Sequence, residues 1–106
     1  MMTNHATGTF DIDIKFMPED DKSIGRMTSD KQFHGDLEGT SKGYGLYANT
    51  EIETSRAYVA FEKFTGSVKG RKGTFILMHS ATGSRGESQL NITVVPDSGT
   101  GELTGI

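Results

Sequence analysis

The sequence predicts an all-β fold, a single small antiparallel β-barrel, on three observations. Apolar residues occupy every second position over residues 10–16, and this period is typical of a strand with one buried face. The chain of 106 residues also has 14 glycines and only 2 prolines, which favours the bends of a tightly coiled sheet. No segment has the 3.6-residue apolar period of an amphipathic helix. Because closure removes exposed strand edges, an up-and-down barrel accounts for all three observations.

Seven segments are predicted to be strands, mostly joined by short turns. They cover residues 6–16, 24–33, 35–47, 57–64, 74–80, 88–95 and 100–106. A Gly-rich corner over residues 65–73 and a loop over residues 81–86 separate the central strands. The last strand ends with the chain at Ile106 and has nothing left to pair with. The sequence therefore predicts that a C-terminal strand or hairpin is missing after residue 106.

Length and composition restrict the class of protein. We expect residues 1–106 to form one domain, with residues 1–5 as a loose polar start. The sequence has no apolar run of about 20 residues and no signal-peptide pattern, so no membrane contact and a cytoplasmic location are expected. The net charge of −3, with scattered basic residues, argues against nucleic-acid binding. Cysteine is absent and the histidines lack ligand spacing, so neither a metal nor a cofactor is predicted.

The stretch over residues 58–79 carries the main candidate site. Glu62 lies on its first strand and His79 on its second, both at positions that alternation can turn inward. A carboxylate that orients an imidazole is a workable catalytic acid–base pair near neutral pH. The alternative is a buried polar pair whose members only satisfy each other.

Two charged residues outside this pair are candidate ligand-binding groups. Arg71, in the Gly-rich turn over residues 70–73, can offer its planar fork to an anionic ligand. It can equally be an exposed turn charge, or a partner of Glu62 or Glu102. Glu102 follows a glycine-containing segment and is a candidate second cavity carboxylate; the alternative is a solvated strand residue.

Three further residues are candidates to line a ligand pocket. Tyr58 shares strand parity with Glu62 and can offer its hydroxyl, although a tyrosine in a sheet also serves packing. Phe75 and Leu77 share parity with His79, so we expect them to shape the pocket.

Four segments resemble the successive motifs of one bacterial family, domain-of-unknown-function family 3224. They are residues 33–41, 58–62, 70–79 and 94–103, and the resemblance runs from about Ala6 to the end of the chain. The fold of that family is similar to the allene oxide cyclase barrel. The resemblance implies a compact eight-stranded barrel with a central cavity, and a homodimer. Members of the family usually continue past residues 101–105 into a further hairpin.

The family has no assigned reaction, so the resemblance indicates a kind of site and not a reaction. Relatives of the barrel include allene oxide cyclase, bacterial cyclases and dirigent proteins, which fold a reactive apolar ligand inside a shaped cavity. The leading hypothesis is therefore a cavity that binds a small, largely apolar organic molecule. Whether the protein is an enzyme stays open; isomerisation or cyclisation is the natural class if it is. The alternatives are a non-catalytic carrier or sensor, and an oligomerisation module whose lumen is filled by its own side chains.

Overall fold

A computed structural model describes residues 7–106 as one six-stranded antiparallel sheet in which each strand pairs with its neighbours in the chain. The elements are β1 (Gly8–Pro18), β2 (Ile24–Gly35), β3 (Leu37–Asn49), β4 (Arg56–Val68), β5 (Arg71–Ser84), β6 (Glu87–Val94) and the 3-10 turn η1 (Gly101–Leu103). The prediction of an all-β protein is confirmed. The predicted loose start, residues 1–5, lies outside the described residues.

The central strands are longer than predicted because their turns are tight. Lys69 and Gly70 join β4 to β5 with φ angles of 50° and 83°. Arg85 and Gly86 join β5 to β6 in the same way, with φ angles of 50° and 95°. Positive φ at both central positions is the signature of a two-residue type I′ hairpin. The predicted corner over residues 65–73 and loop over residues 81–86 are therefore mostly strand.

The sheet coils so that one face is concave and holds a small core at one end. Phe64 on β4, Phe75 on β5 and Leu103 of η1 are buried there. The rings of Phe64 and Phe75 lie 5.1 Å apart, and the Phe33 ring lies 5.4 Å from that of Phe64 at 77°. Partly buried side chains pack around this group, namely Phe33, Leu37, Val68, Leu77 and Val94. One end of the concave face is thus filled by aromatic and aliphatic side chains.

The prediction of a closed barrel is not confirmed. Among residues 7–106 the sheet has six strands, not the seven read from the sequence or the eight implied by the resemblance, and β1 does not pair with β6. The inward rows of these two edge strands consequently stay exposed. They comprise Phe10, Ile12, Ile14 and Phe16 on β1, and Leu90 and Ile92 on β6. β1 and β6 alternate as predicted, but among residues 7–106 no further strand or sheet covers their inward faces.

The predicted strand over residues 100–106 is wrong. Thr100 pairs with Thr74 on β5, since its backbone N–H donates to the Thr74 carbonyl at 2.9 Å and its Oγ1 accepts from the Thr74 N–H at 3.0 Å. The chain then turns through η1 and inserts Leu103 into the core. A side chain at Gly73 would collide with the Thr100 carbonyl, so glycine permits this close approach. The described residues contain no helix with the length and apolar character needed to cross a membrane.

Candidate functional site

A buried carboxylate lies at the centre of the candidate site. Glu62 is only 3% exposed, and a buried charge is costly unless it is paired and hydrogen-bonded. Lys31 Nζ donates to Glu62 Oε1 at 3.2 Å, and the Ser41 hydroxyl donates to Oε2. His79 Nε2 lies 2.8 Å from Oε1. We refer to Lys31, Ser41, Glu62 and His79 as the Glu62 cluster.

The strand register explains why these four residues meet. The cluster draws one member from each of β2, β3, β4 and β5. Lys31 is directly opposite Ser41 in the β2–β3 pair. Glu62 is opposite Gly43 and Leu77, so Ser41 and His79 are its diagonal neighbours on the same face. Diagonal neighbours of this kind are within reach of long side chains.

His79 touches the carboxylate without forming a well-directed hydrogen bond. Its side chain is 11% exposed and Nε2 is buried. Despite the 2.8 Å separation from Glu62 Oε1, Nε2 has no hydrogen-bond partner of acceptable geometry among the described residues. The distance is short enough for a hydrogen bond, so it is the orientation of the imidazole ring that prevents one. The imidazole is therefore packed against the carboxylate, with its Nε2 enclosed by the protein.

Lys31 is enclosed by aromatic rings as well as by the carboxylate. Its side chain is 14% exposed, and Nζ lies 4.8 Å from the centroid of the Phe10 ring and 6.0 Å from that of Phe33. A cation over an aromatic face at this range is attracted by the ring quadrupole. Glu62 and two ring faces thus share the ammonium of Lys31.

A pocket of about 750 Å³ opens on the concave face beside the Glu62 cluster. Lys31, Glu62 and His79 contribute to its wall. Much of the remaining wall is apolar and includes Ile12, Ile14, Phe16, Met27 and Ala60. Ligand sites typically have volumes of roughly 300–1,000 Å³ and combine apolar walls with a few placed polar groups. The pocket therefore has the size and lining of a small-molecule site.

The structure brings some of the predicted site residues together and separates others. Glu62, His79 and Tyr58 line the pocket. Phe75, expected to shape the pocket, is buried in the core, and Leu77 packs against that core.

The two remaining predicted residues are at the far end of the sheet. Arg71 is exposed where β5 begins, and Glu102 is exposed on η1, where it accepts a hydrogen bond from the Lys72 backbone N–H at 3.2 Å. Neither belongs to the Glu62 cluster. For Arg71 the geometry matches the alternative of an exposed turn charge.

Sequence reasoning missed Lys31 and Ser41. Lys31 is on the same face as Met27 and Ser29, which also line the pocket. Its odd-numbered position on β2, on the same face as these two residues, could therefore have indicated that Lys31 points inward. Ser41 shares parity with Gly43 and Gly45, and a small polar residue among glycines gives no sign that its hydroxyl meets a carboxylate.

Replacing His79 with alanine is expected to lower the free energy of unfolding by about 1–3 kcal/mol, because it removes a group packed against a buried carboxylate. Urea unfolding followed by circular dichroism measures the change. Ser80→Ala, on the opposite face of β5, is the matched control and should change stability by less than about 0.5 kcal/mol. A His79→Ala effect no larger than the control would show that the two side chains are not coupled.

The fold and the site define a class of protein, a coiled and open antiparallel meander with a buried charged cluster on its concave face. The chain belongs to the family described as "Protein of unknown function (DUF3224)", whose model matches residues 6–106. The crystal structure of a DUF3224 protein of unknown function from Shewanella oneidensis MR-1 is similar. The two are 39% identical with a TM-score of 0.79, and the match covers 95% of this chain and 81% of that one. No curated protein matches the chain.

Proposed function

We propose that the protein binds a small, largely apolar organic molecule in the concave pocket. The observation that carries the proposal is an apolar pocket of about 750 Å³ with the buried Glu62 cluster in its wall. Apolar walls supply affinity through burial of ligand surface, and a few fixed polar groups orient the ligand.

Charge in the cluster favours a ligand that is mainly uncharged at this end. Lys31 and Glu62 form an ion pair, so together they contribute no net charge to the pocket. His79 lines the pocket with its imidazole 11% exposed, so the polar end of a ligand would meet this ring. We therefore place the polar end of the ligand against His79 and its apolar body against the β1 side chains.

Catalysis is the finer part of the proposal. A histidine beside a carboxylate can move a proton near neutral pH, and the resemblance to the allene oxide cyclase barrel makes isomerisation or cyclisation the natural reaction class. Glu62 and His79 are the proposed acid–base or orienting groups.

A carrier or sensor would use the same pocket without this chemistry. The unfilled pocket argues against a module whose interior is filled by its own side chains. The cytoplasmic location and the lack of a cofactor remain predictions.

Filling the pocket tests the proposal. Ala60 lines it, so Ala60→Trp places a bulky ring inside. Thr65→Trp on the opposite face of β4 is the matched control, since Thr65 is exposed there. We expect wild type and the control to bind the apolar probe N-phenyl-1-naphthylamine saturably, and Ala60→Trp to bind it at least about tenfold more weakly, or 1.4 kcal/mol.

The readout is the fluorescence of the probe, and circular dichroism verifies the fold of each variant. Ala81→Leu, a milder change at another lining residue, replaces Ala60→Trp should that variant unfold. Lack of saturable binding by wild type, or equal binding by the folded pocket variant, would overturn the proposal.

A further inference from the structure

An apolar patch covers the outer face of the central strands, opposite the pocket. The outer apolar patch consists of Tyr44 (61% exposed), Leu46 (49%), Val59 (54%), Phe61 (54%) and Met78 (47%). The strand register makes it continuous. Tyr44, Phe61 and Met78 are directly opposite one another across β3, β4 and β5, and Leu46 is opposite Val59 in the next row. Two adjacent rows, one bulky and one aliphatic, therefore form a single surface.

The patch is large for a protein of this length. Two of the five side chains are aromatic, a type that buries roughly 150–250 Å² when fully covered. All five are about half exposed, so the patch presents on the order of 500 Å². This is near the upper end for the largest patch on a typical monomer, roughly 300–600 Å². A standard protein interface covers about 800 Å² on each partner. The patch is thus large enough to form the apolar centre of such an interface, and the polar residues around it would form the rim.

We propose that the outer apolar patch is the interface through which two copies of this chain form a homodimer. A two-fold axis that crosses the strands between the two rows would place the bulky row of one copy on the aliphatic row of the other. Large side chains would then meet smaller ones, as in two sheets packed face to face about 10 Å apart. No charged residue lies among the five side chains, so this pairing brings no like charges together at its centre.

Charges of opposite sign flank the patch along the strand direction. Lys42 and Lys63, opposite each other on β3 and β4, form the row beyond Tyr44 and Phe61. On the other side, beyond Leu46 and Val59, the β3–β4 loop carries the exposed residues Glu51 and Glu53.

The same two-fold axis exchanges these flanks. It lays the lysine row of each copy on the Ala48–Ala57 row of the other, which lies next to the acidic loop, and the long lysine side chains extend toward Glu51 and Glu53. Lys42 already contacts Asp30 within its own chain at 3.2 Å, so Lys63 is the better probe of a contact between copies. This charge complementarity favours a second copy of the chain as the occupant.

The pocket faces away from this interface, so the dimer and the ligand site are separable. Tyr44 and Phe61 point outward from β3 and β4, while Gly43 and Glu62, next to them in sequence, line the pocket. Dimerisation can therefore fail without loss of probe binding, and probe binding can fail without loss of the dimer.

Sedimentation equilibrium of the full chain over about 1–100 μM measures self-association. We expect a wild-type dimer, and Phe61→Lys should weaken it about 30-fold or more, the factor that corresponds to losing one hot-spot side chain. Thr9→Lys, which adds the same charge on the outer face of the sheet but on β1, away from the patch, should leave the dissociation constant unchanged within about threefold. Phe61→Thr, which keeps a good strand former, serves if Phe61→Lys does not fold.

Charge reversal tests the arrangement of the two copies. Lys63→Glu should weaken the dimer, and the combination of Lys63→Glu with Glu53→Lys should restore at least part of the loss. A monomeric wild type at 100 μM, or a dimer that tolerates a folded Phe61 variant, would overturn the proposal. A dimer that loses affinity with Phe61→Lys but gains nothing from the combined reversal would overturn the two-fold arrangement.

Discussion

Replacement of Glu62 with alanine is expected to lower the free energy of unfolding by about 3–5 kcal/mol, because it leaves the ammonium of Lys31 buried without its counter-charge. The Ser41 hydroxyl loses its acceptor in the same step, since it donates to Glu62 Oε2. Urea unfolding followed by circular dichroism measures the loss. Glu62→Gln, which keeps the shape and an acceptor oxygen, should cost less than the alanine variant.

Two comparisons isolate the buried charge as the cause. Lys63→Ala removes an exposed charge from the neighbouring position on β4 and should change stability by less than about 0.5 kcal/mol. Lys31→Met combined with Glu62→Ala should cost less than the sum of the two single changes, because the orphaned ammonium is gone. Strict additivity would contradict the pairing, and so would a Glu62→Ala effect no larger than that of Lys63→Ala.

Phe64→Ala is expected to lower the free energy of unfolding by about 3–5 kcal/mol through the cavity it leaves in the core. Phe64 is 1% exposed, and its ring contacts those of both Phe33 and Phe75. The core of the described residues is small, so little surrounding structure can collapse into the space. Unfolding in guanidinium chloride, with intrinsic tyrosine fluorescence as the probe, measures the effect.

The matched control is Phe61→Ala on the same strand. Phe61 is 54% exposed on the outer face, so its truncation should cost no more than about 1 kcal/mol when the protein is too dilute to self-associate. Equal losses for the two phenylalanines would mean that the faces of β4 are not buried as described.

Much of the sheet could be predicted from the sequence because alternation reports directly on strands. Residues 10–16 and 89–94 alternate strictly and lie in β1 and β6. Alternation says which side chains share a face, but not whether another layer covers that face. The apolar row of β1 was therefore read as barrel interior, whereas the described sheet leaves it exposed. Sheet closure depends on coiling and strand number, which local patterns do not encode.

The C-terminal error has a different cause. Leu103 and Ile106 are three residues apart, so a strand would turn them to opposite faces. Gly101 and Gly105 adopt φ angles of 61° and 87°, which glycine accepts easily, and the chain turns there instead. A single leucine that reaches a core formed by β4 and β5 decides the conformation of this segment. Such a long-range contact is invisible to a local pattern.

Two of the four residues of the Glu62 cluster could be predicted from the sequence. Parity placed Glu62 and His79 on inward faces, and the structure finds them 2.8 Å apart. Lys31 and Ser41 were missed because their approach to Glu62 depends on the register of the β2–β3 and β3–β4 pairs. Register follows from turn geometry and burial along whole strands, so it could not be assigned residue by residue in advance.

The distribution of the Glu62 cluster over β2, β3, β4 and β5 has a consequence for the order of folding. Each hairpin of the meander closes a short loop and can form early, because nearby segments lose little entropy when they meet. The cluster is complete only after three successive hairpins are aligned. We therefore expect Glu62→Ala to act mainly by accelerating unfolding, with a φ-value near zero in stopped-flow kinetics. The residues beside the pocket would then govern how long the native state survives, and the hairpin turns would govern how quickly it is reached.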